Sequence, residues 1–180
     1  PPARVRRLWG ILPTALLLLG AAVGATGWLT RGRTTPELQL ARLTFDSGLT
    51  TGAVISPDGK LAAYASDRSG EGHSDIWVQQ ISGRQPMRLT RNEAEDSQPS
   101  FSPDGSRIAF RSERDGGGIY VVETLGGTEQ KIADNGHHPR FSPDGSQILF
   151  VRRPALGGMG KLFLVSSQGG APRPFLPEFG

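Results

Sequence analysis

The tetrapeptide Ser-Pro-Asp-Gly occurs three times, at Ser56-Pro57-Asp58-Gly59, Ser102-Pro103-Asp104-Gly105 and Ser142-Pro143-Asp144-Gly145, with starts 46 and 40 residues apart. Proline presets φ for the second position of a tight turn, aspartate can accept a backbone hydrogen bond inside it, and glycine supplies a positive φ without steric cost. A recurring turn at this spacing implies a recurring supersecondary unit. After each turn comes an alternating apolar strand, "KLAAYAS", "SRIAFRS" and "SQILFVR". A polar or glycine-rich loop follows, then a second strand, "DIWVQQ", "GIYVVE" and "KLFLVS". A glycine turn (Ser82-Gly83, Gly126-Gly127, Gly169-Gly170) leads to a short last strand, "PMRLT", "EQKIA" and "PRPFL". The next unit opens with "QPSFSPDG" or "HPRFSPDG", and an isolated last strand, "LARLT" at Leu40–Thr44, precedes the first.

Four short strands per unit, with turn signals between them, indicate the blade of a β-propeller. Alternation places one face of each strand against the neighbouring blade, and Phe101 and Phe141 are expected there. The 25 glycines and 14 prolines suit a turn-rich, all-β chain. The expected fold class is therefore all-β, a partial β-propeller of three complete four-stranded blades over residues 38–180. Three blades cannot close a ring, so the chain reads as part of a larger one. All twelve residues of the Ser-Pro-Asp-Gly turns read as structural, and their aspartates are not read as catalytic.

Ahead of the repeats lies Leu8–Thr30, 23 residues without a charge. As a helix it spans roughly 34 Å, enough for a ~30 Å hydrocarbon core. Trp9 and Trp28 near its ends suit the interface. This predicts a basic cytoplasmic flank over 1–7, a single transmembrane helix over 8–30 and a linker over 31–37. The alternative is a signal peptide cleaved after Val23-Gly24-Ala25. The net charge of +3 comes from Arg4, Arg6, Arg7, Arg31 and Arg33; the rest has 15 basic residues against 17 acidic ones. Nothing in that balance suggests nucleic-acid binding. With no cysteine, thiolate chemistry and disulfides are excluded.

"FSPDGSRIAF", "FSPDGSQILF", "DIWVQQ" and "RLT" resemble the WD-like propeller repeats of TolB, over nearly all of residues 38–180. The resemblance implies a ring of six or more blades. The layout of one membrane helix, a short linker and such repeats is similar to that of bacterial serine/threonine kinases and winged-helix regulators that carry a C-terminal propeller. This implies an inner-membrane, single-pass protein with its propeller outside the cytoplasm and a cytoplasmic effector domain upstream of residue 1. Prolyl-oligopeptidase-like serine peptidases and periplasmic TolB-like translocation proteins carry similar blades and remain alternatives.

The segment shows no nucleophile elbow, phosphate loop or kinase signature, so it is expected to be non-enzymatic and without cofactor. The histidines are His73, His137 and His138. Neighbours on a regular strand point to opposite faces, so His137 and His138 are not expected to share a metal, and no metal site is assigned. In such propellers the innermost strands line a channel. The candidate binding mouth is Asp96, Ser97, Gln98, His137, His138 and Arg140, facing a protein or envelope ligand. Arg68, Glu71, Glu113 and Arg114 are expected as exposed rim residues.

Overall fold

The computed structural model describes residues 42–45, 47–83, 85–153 and 159–175. The chain divides into two compact units, Pro1–Ala41 and Arg42–Gly180, and every described residue belongs to the second. The expected flank, membrane helix and linker over 1–37 lie outside the described residues. Among those described, no helix is long and apolar enough to cross a membrane.

The strands form three four-stranded antiparallel sheets, each built from consecutive strands. Blade 1 holds β1 (Thr50–Ile55), β2 (Leu61–Ser66), β3 (Asp75–Gln80) and β4 (Met87–Arg88). Blade 2 holds β5 (Asp96–Phe101), β6 (Arg107–Ser112), β7 (Gly118–Glu123) and β8 (Gln130–Asp134). Blade 3 holds β9 (Gly136–Phe141), β10 (Gln147–Arg152), β11 (Lys161–Ser166) and β12 (Arg173–Pro174). The outer strands β4 and β12 are two residues long, and Pro174 has no N–H to extend its ladder. Across Arg42–Phe45, where the sequence suggested part of an isolated last strand, the backbone is not in a strand. A strand needs a ladder partner, and no neighbouring sheet pairs with this segment among the described residues.

Each Ser-Pro-Asp-Gly turn joins the first two strands of its blade and is built alike. The serine hydroxyl donates to the aspartate Oδ1, at 2.6 Å in Ser56–Asp58 and 2.5 Å in Ser102–Asp104 and Ser142–Asp144. The same aspartate oxygen accepts the backbone N–H two residues on, and the serine Oγ accepts that of the residue opening the next strand. Gly59, Gly105 and Gly145 have φ of 72°, 71° and 73°. These bonds favour the ionised carboxylate. The serine bond is the main cause, and it holds Asp58 below the ordinary value and Asp104 and Asp144 down to about 2.

Apolar residues of neighbouring blades close two cores. The first joins Ala63, Ala65, Ile76, Val78 and Leu89 of blade 1 to Ile108, Phe110, Tyr120 and Val122 of blade 2, with Phe101 packed against it. The second joins Ala109, Ile119, Val121, Ile132 and Ala133 to Ile148, Phe150 and Val165, with Phe141 and Phe163 at its margin. Arg107 bolts blade 2 to blade 3: its guanidinium reaches Ser167 O, Ser167 Oγ and Gly145 O, each at 3.3 Å, and lies 5.4 Å over the Phe141 ring. Each blade also pairs two aromatics across its middle strands, Tyr64–Trp77, Phe110–Tyr120 and Phe150–Phe163. An arginine caps each pair: Arg68 lies 5.2 Å from Trp77, Arg114 4.5 Å from Tyr120 and Arg152 4.7 Å from Phe163. Arg68 and Arg114, expected as exposed rim residues, are instead half-buried in these stacks.

The first strand of every blade carries the same irregularity. Its third residue, Gly52, Gln98 or His138, has φ of 61°, 57° or 51°, and the ladder slips at that point in all three sheets. This is a β-bulge, which re-aims side chains where regular alternation would separate them. Pro99 and Pro139 follow it, at positions where a lost N–H costs little.

Candidate functional site: the channel mouth

The first strands approach one another from blade to blade, β1 beside β5 and β5 beside β9, so they form the inner wall. The candidate mouth residues lie on β5 and β9. Gln98 Oε1 accepts the backbone N–H of His138 at 2.6 Å, a bond from one bulge to the next. Ser97, Gln98 and His137 are half-buried, while His138 and Arg140 are exposed. Arg140 Nη1 donates to Pro139 O at 2.8 Å. At the bulge the His137 and His138 ring centroids are 6.4 Å apart, tilted by 37°. Burial, then the charges of Arg111 and Arg153, push the His137 pKa below its ordinary value of 6.5, which keeps the ring neutral at pH 7.

Asp96 is not displayed at the mouth. It is 0% exposed. Asn92 Nδ2 donates to its Oδ2 at 2.7 Å, and Arg114 Nη2 stands 3.1 Å from the same atom. Arg114 also pairs with Glu129. Asp96 thus anchors the entry of β5, and the mouth surface consists of Ser97, Gln98, His137, His138 and Arg140. Beside it, Glu113 holds Arg111 through two bonds of 2.7 and 2.6 Å, and Arg111 Nη1 donates to Gly136 O of blade 3.

A second cluster was not singled out in the sequence. Glu71, His73 and Asp75 bring ligand-type atoms within 4.8 Å of one another. Their spacing at every second residue was the signal that could have found them, although Glu71 and His73 lie in a bend around Gly72, at φ 85°, and only Asp75 lies in a strand. Arg88 Nη2 occupies the middle, 2.6 Å from Glu71 Oε2, 2.7 Å from Asp75 Oδ2 and 3.5 Å from His73 Nε2. Asp75 is fully buried; the Arg88 contact is an ion pair by distance but off the line of a hydrogen bond, and Oδ1 accepts none. Desolvation raises the Asp75 pKa, against the lowering charge of Arg88. Arg88 is therefore the resident cation of this trio.

With blades, turns and inner bulges in place, residues 56–171 match the family described as the TolB beta propeller domain. The chain belongs to that family. Among solved structures, the putative TolB from Agrobacterium tumefaciens is 29% identical with a TM-score of 0.61, covering 72% of this chain and 49% of that one. TolB from Acinetobacter baumannii is 26% identical with a TM-score of 0.60, covering 75% and 36%. The β-propeller domain of the Trilobed protease from Pyrococcus furiosus, at 17% identity and a TM-score of 0.51, shares the fold alone. The matched region thus spans about half or less of these TolB structures. A comparison with curated proteins gave no match.

Proposed function

We propose that this TolB-type propeller is a non-catalytic binding module that presents its inner-strand mouth to a protein or envelope ligand outside the cytoplasmic membrane. The observation that carries this reading is the bulge-to-bulge bond from His138 to Gln98, which sets Ser97, Gln98, His137, His138 and Arg140 on one inner wall. Two imidazoles, an amide and an exposed guanidinium suit hydrogen-bonding, carboxylate-bearing polypeptide better than an apolar ligand. Within this reading the module is the C-terminal sensor of a membrane-anchored serine/threonine kinase, held close to the bilayer by residues 31–37. A ligand there acts only through a difference in affinity between two arrangements of the anchored protein. A winged-helix regulator or a prolyl-oligopeptidase-like peptidase as parent keeps the same module with a different effector.

The second reading, a periplasmic TolB-like translocation protein, is favoured by the identities of 29% and 26% to the two TolB structures. One experiment addresses both. A photo-crosslinking amino acid at position 138 of the cell-expressed protein captures the ligand, while alkaline phosphatase fused after Gly180 reports the compartment. Crosslinks to an envelope protein with active phosphatase are expected. Inactive phosphatase together with a fluorescent cytoplasmic reporter at the same point would overturn both readings. A protein released free of residues 1–25 favours the translocation reading over the anchored kinase.

A further inference from the structure

Leu61 and Arg107 hold the same place in successive blades, the residue that opens the second strand after a Ser-Pro-Asp-Gly turn. At the junction of blades 2 and 3 that place holds a guanidinium. Arg107 reaches Ser167 O, Ser167 Oγ and Gly145 O, and lies over the Phe141 ring. At the junction of blades 1 and 2 the receiving groups recur. Gly105 corresponds to Gly145 in the turn, and Phe101 to Phe141 just before it. Thr124 corresponds to Ser167: the N–H of each bonds to the carbonyl of the residue after the turn, Ser106 or Ser146, at 2.9 Å. The arginine does not recur.

Leu61 is shorter and has no donor, and a cleft of about 540 Å³ opens beside it, lined also by Asp104, Gly105, Glu123, Thr124 and Leu125. Thr124 Oγ1 donates to Gly105 O at 2.8 Å, which leaves the hydroxyl oxygen able to accept. Thr124 is 2% exposed, yet its carbonyl accepts no hydrogen bond among the described residues. The matching carbonyl, Ser167 O, is the one that accepts Arg107. Charge agrees with this vacancy for a cation, since the exposed carboxylates of Asp104 and Glu123 border the cleft. The cations beside it are committed elsewhere, Lys60 to Asp58 at 3.4 Å and Arg107 to blade 3. Leu125 stands at the rim, 84% exposed.

We infer that this cleft is a second binding site, which receives the arginine side chain of a partner polypeptide. The incoming guanidinium takes between blades 1 and 2 the place that Arg107 takes between blades 2 and 3. A planar fork of five donors reaches two carbonyls and a hydroxyl at once, whereas an ammonium is a compact charge that does not span them. Leu125 offers an apolar contact to the residue flanking that arginine, which is why the source is a polypeptide and not a free guanidinium compound. The site lies past the end of β5 that leads into the turn, and the mouth lies at its start. It therefore stands independently of the mouth as a recognition surface.

The test titrates the full chain with N-acetyl-arginyl-leucinamide and follows the backbone amides by NMR. Saturable shifts are expected at Gly105, Thr124 and Leu125. The lysyl counterpart and free arginine should each bind at least about fivefold more weakly. Glu123→Gln, on an exposed side chain, should weaken binding roughly two- to fivefold. Leu61→Arg supplies the guanidinium from within the chain, so it should abolish the probe's shifts and raise the thermal midpoint by about 3 °C. Absence of saturable shifts, an equal response to the three probes, or probe binding that survives Leu61→Arg overturns the inference. So does a lowered midpoint in Leu61→Arg, because the groups around that position then do not accept a guanidinium.

Discussion

Gly145 rests on Pro103 of the preceding blade: a Cβ built at Gly145 would stand 3.4 Å from Pro103 Cδ, and Gly105 is placed alike against Pro57, at 3.7 Å. The Ser-Pro-Asp-Gly turns therefore serve two ends at once. Each closes its own blade and seats the next. Gly105→Val is expected to cost about 1–2 kcal/mol from the left-handed backbone alone, and Gly145→Val more, because the β-branched side chain also meets Pro103. Gly127→Ala, where φ is not positive and the nearest group is Glu123 at 3.9 Å, should be close to neutral. Urea denaturation of the three variants checks the order, and wild-type-like stability in Gly105→Val would remove the turn from the account.

The same turns predict how the domain responds to acid. Asp104 and Asp144 titrate at about 2 when folded, below the ordinary 3.8. A carboxyl depressed by folding stabilises the fold fully above its unfolded value, and that contribution drains away as pH falls through the folded one. Stability should therefore decline between about pH 4 and 2. Buried Asp75, whose pKa is raised, contributes with the opposite sign. The informative quantity is thus the difference between wild type and Ser102→Ala, which removes the main bond depressing Asp104. The variant's deficit against wild type should be larger at pH 5 than at pH 2, with a constant part remaining because Ser102 Oγ also accepts the Arg107 N–H. Parallel curves at all pH values would contradict the linkage.

Arg88 is expected to be the costliest single charge to remove. Without it, Asp75 keeps a buried carboxylate with no counter-charge, a situation worth about 3–5 kcal/mol. Arg88→Ala should unfold at much lower denaturant, and Asp75→Asn in the same chain should recover a good part of the loss. A double-mutant cycle isolates the coupling. Because Arg88 fills the cation position of the Glu71–His73–Asp75 trio, added zinc should raise the melting point of Arg88→Ala and leave wild type unmoved.

How far the sequence anticipated this structure depended on how local each cause was. The blade was legible because turn chemistry and alternation are both short-range: Pro103, Asp104 and Gly105 act within one turn, and "SRIAFRS" alternates within seven residues. Phe101 and Phe141 reached the blade interfaces for the same reason. The bulges were not legible. Gln98 and His138 look like ordinary strand residues, and only Gly52, at the equivalent place in blade 1, hints that a positive φ is needed. Asp96, Arg68 and Arg114 were misplaced as surface groups because their partners, Arg114 for Asp96 and the aromatic pairs for the arginines, come from other strands or other parts of the blade.

The bulge at His138 carries a final prediction about stability and function together. A non-glycine residue at φ 51° is strained, and natural chains retain such strain where the side chain has work to do. His138 is exposed, and its backbone N–H, rather than its ring, makes the bond to Gln98. Its imidazole therefore adds little to the fold and projects at the mouth. His138→Gly should relieve the strain and stabilise the domain by about 1 kcal/mol, while weakening capture of the ligand identified by crosslinking. Asn135→Gly, at φ 53° but outside the proposed mouth, should stabilise similarly and leave capture unchanged. Gln98→Ala should do the reverse of His138→Gly for the fold, costing about 1 kcal/mol as the His138 N–H loses its acceptor. Gln98→Glu keeps an acceptor and should restore that bond. If His138→Gly lowers stability, the imidazole is a packing group, and the inner wall loses its strongest claim to be a recognition surface.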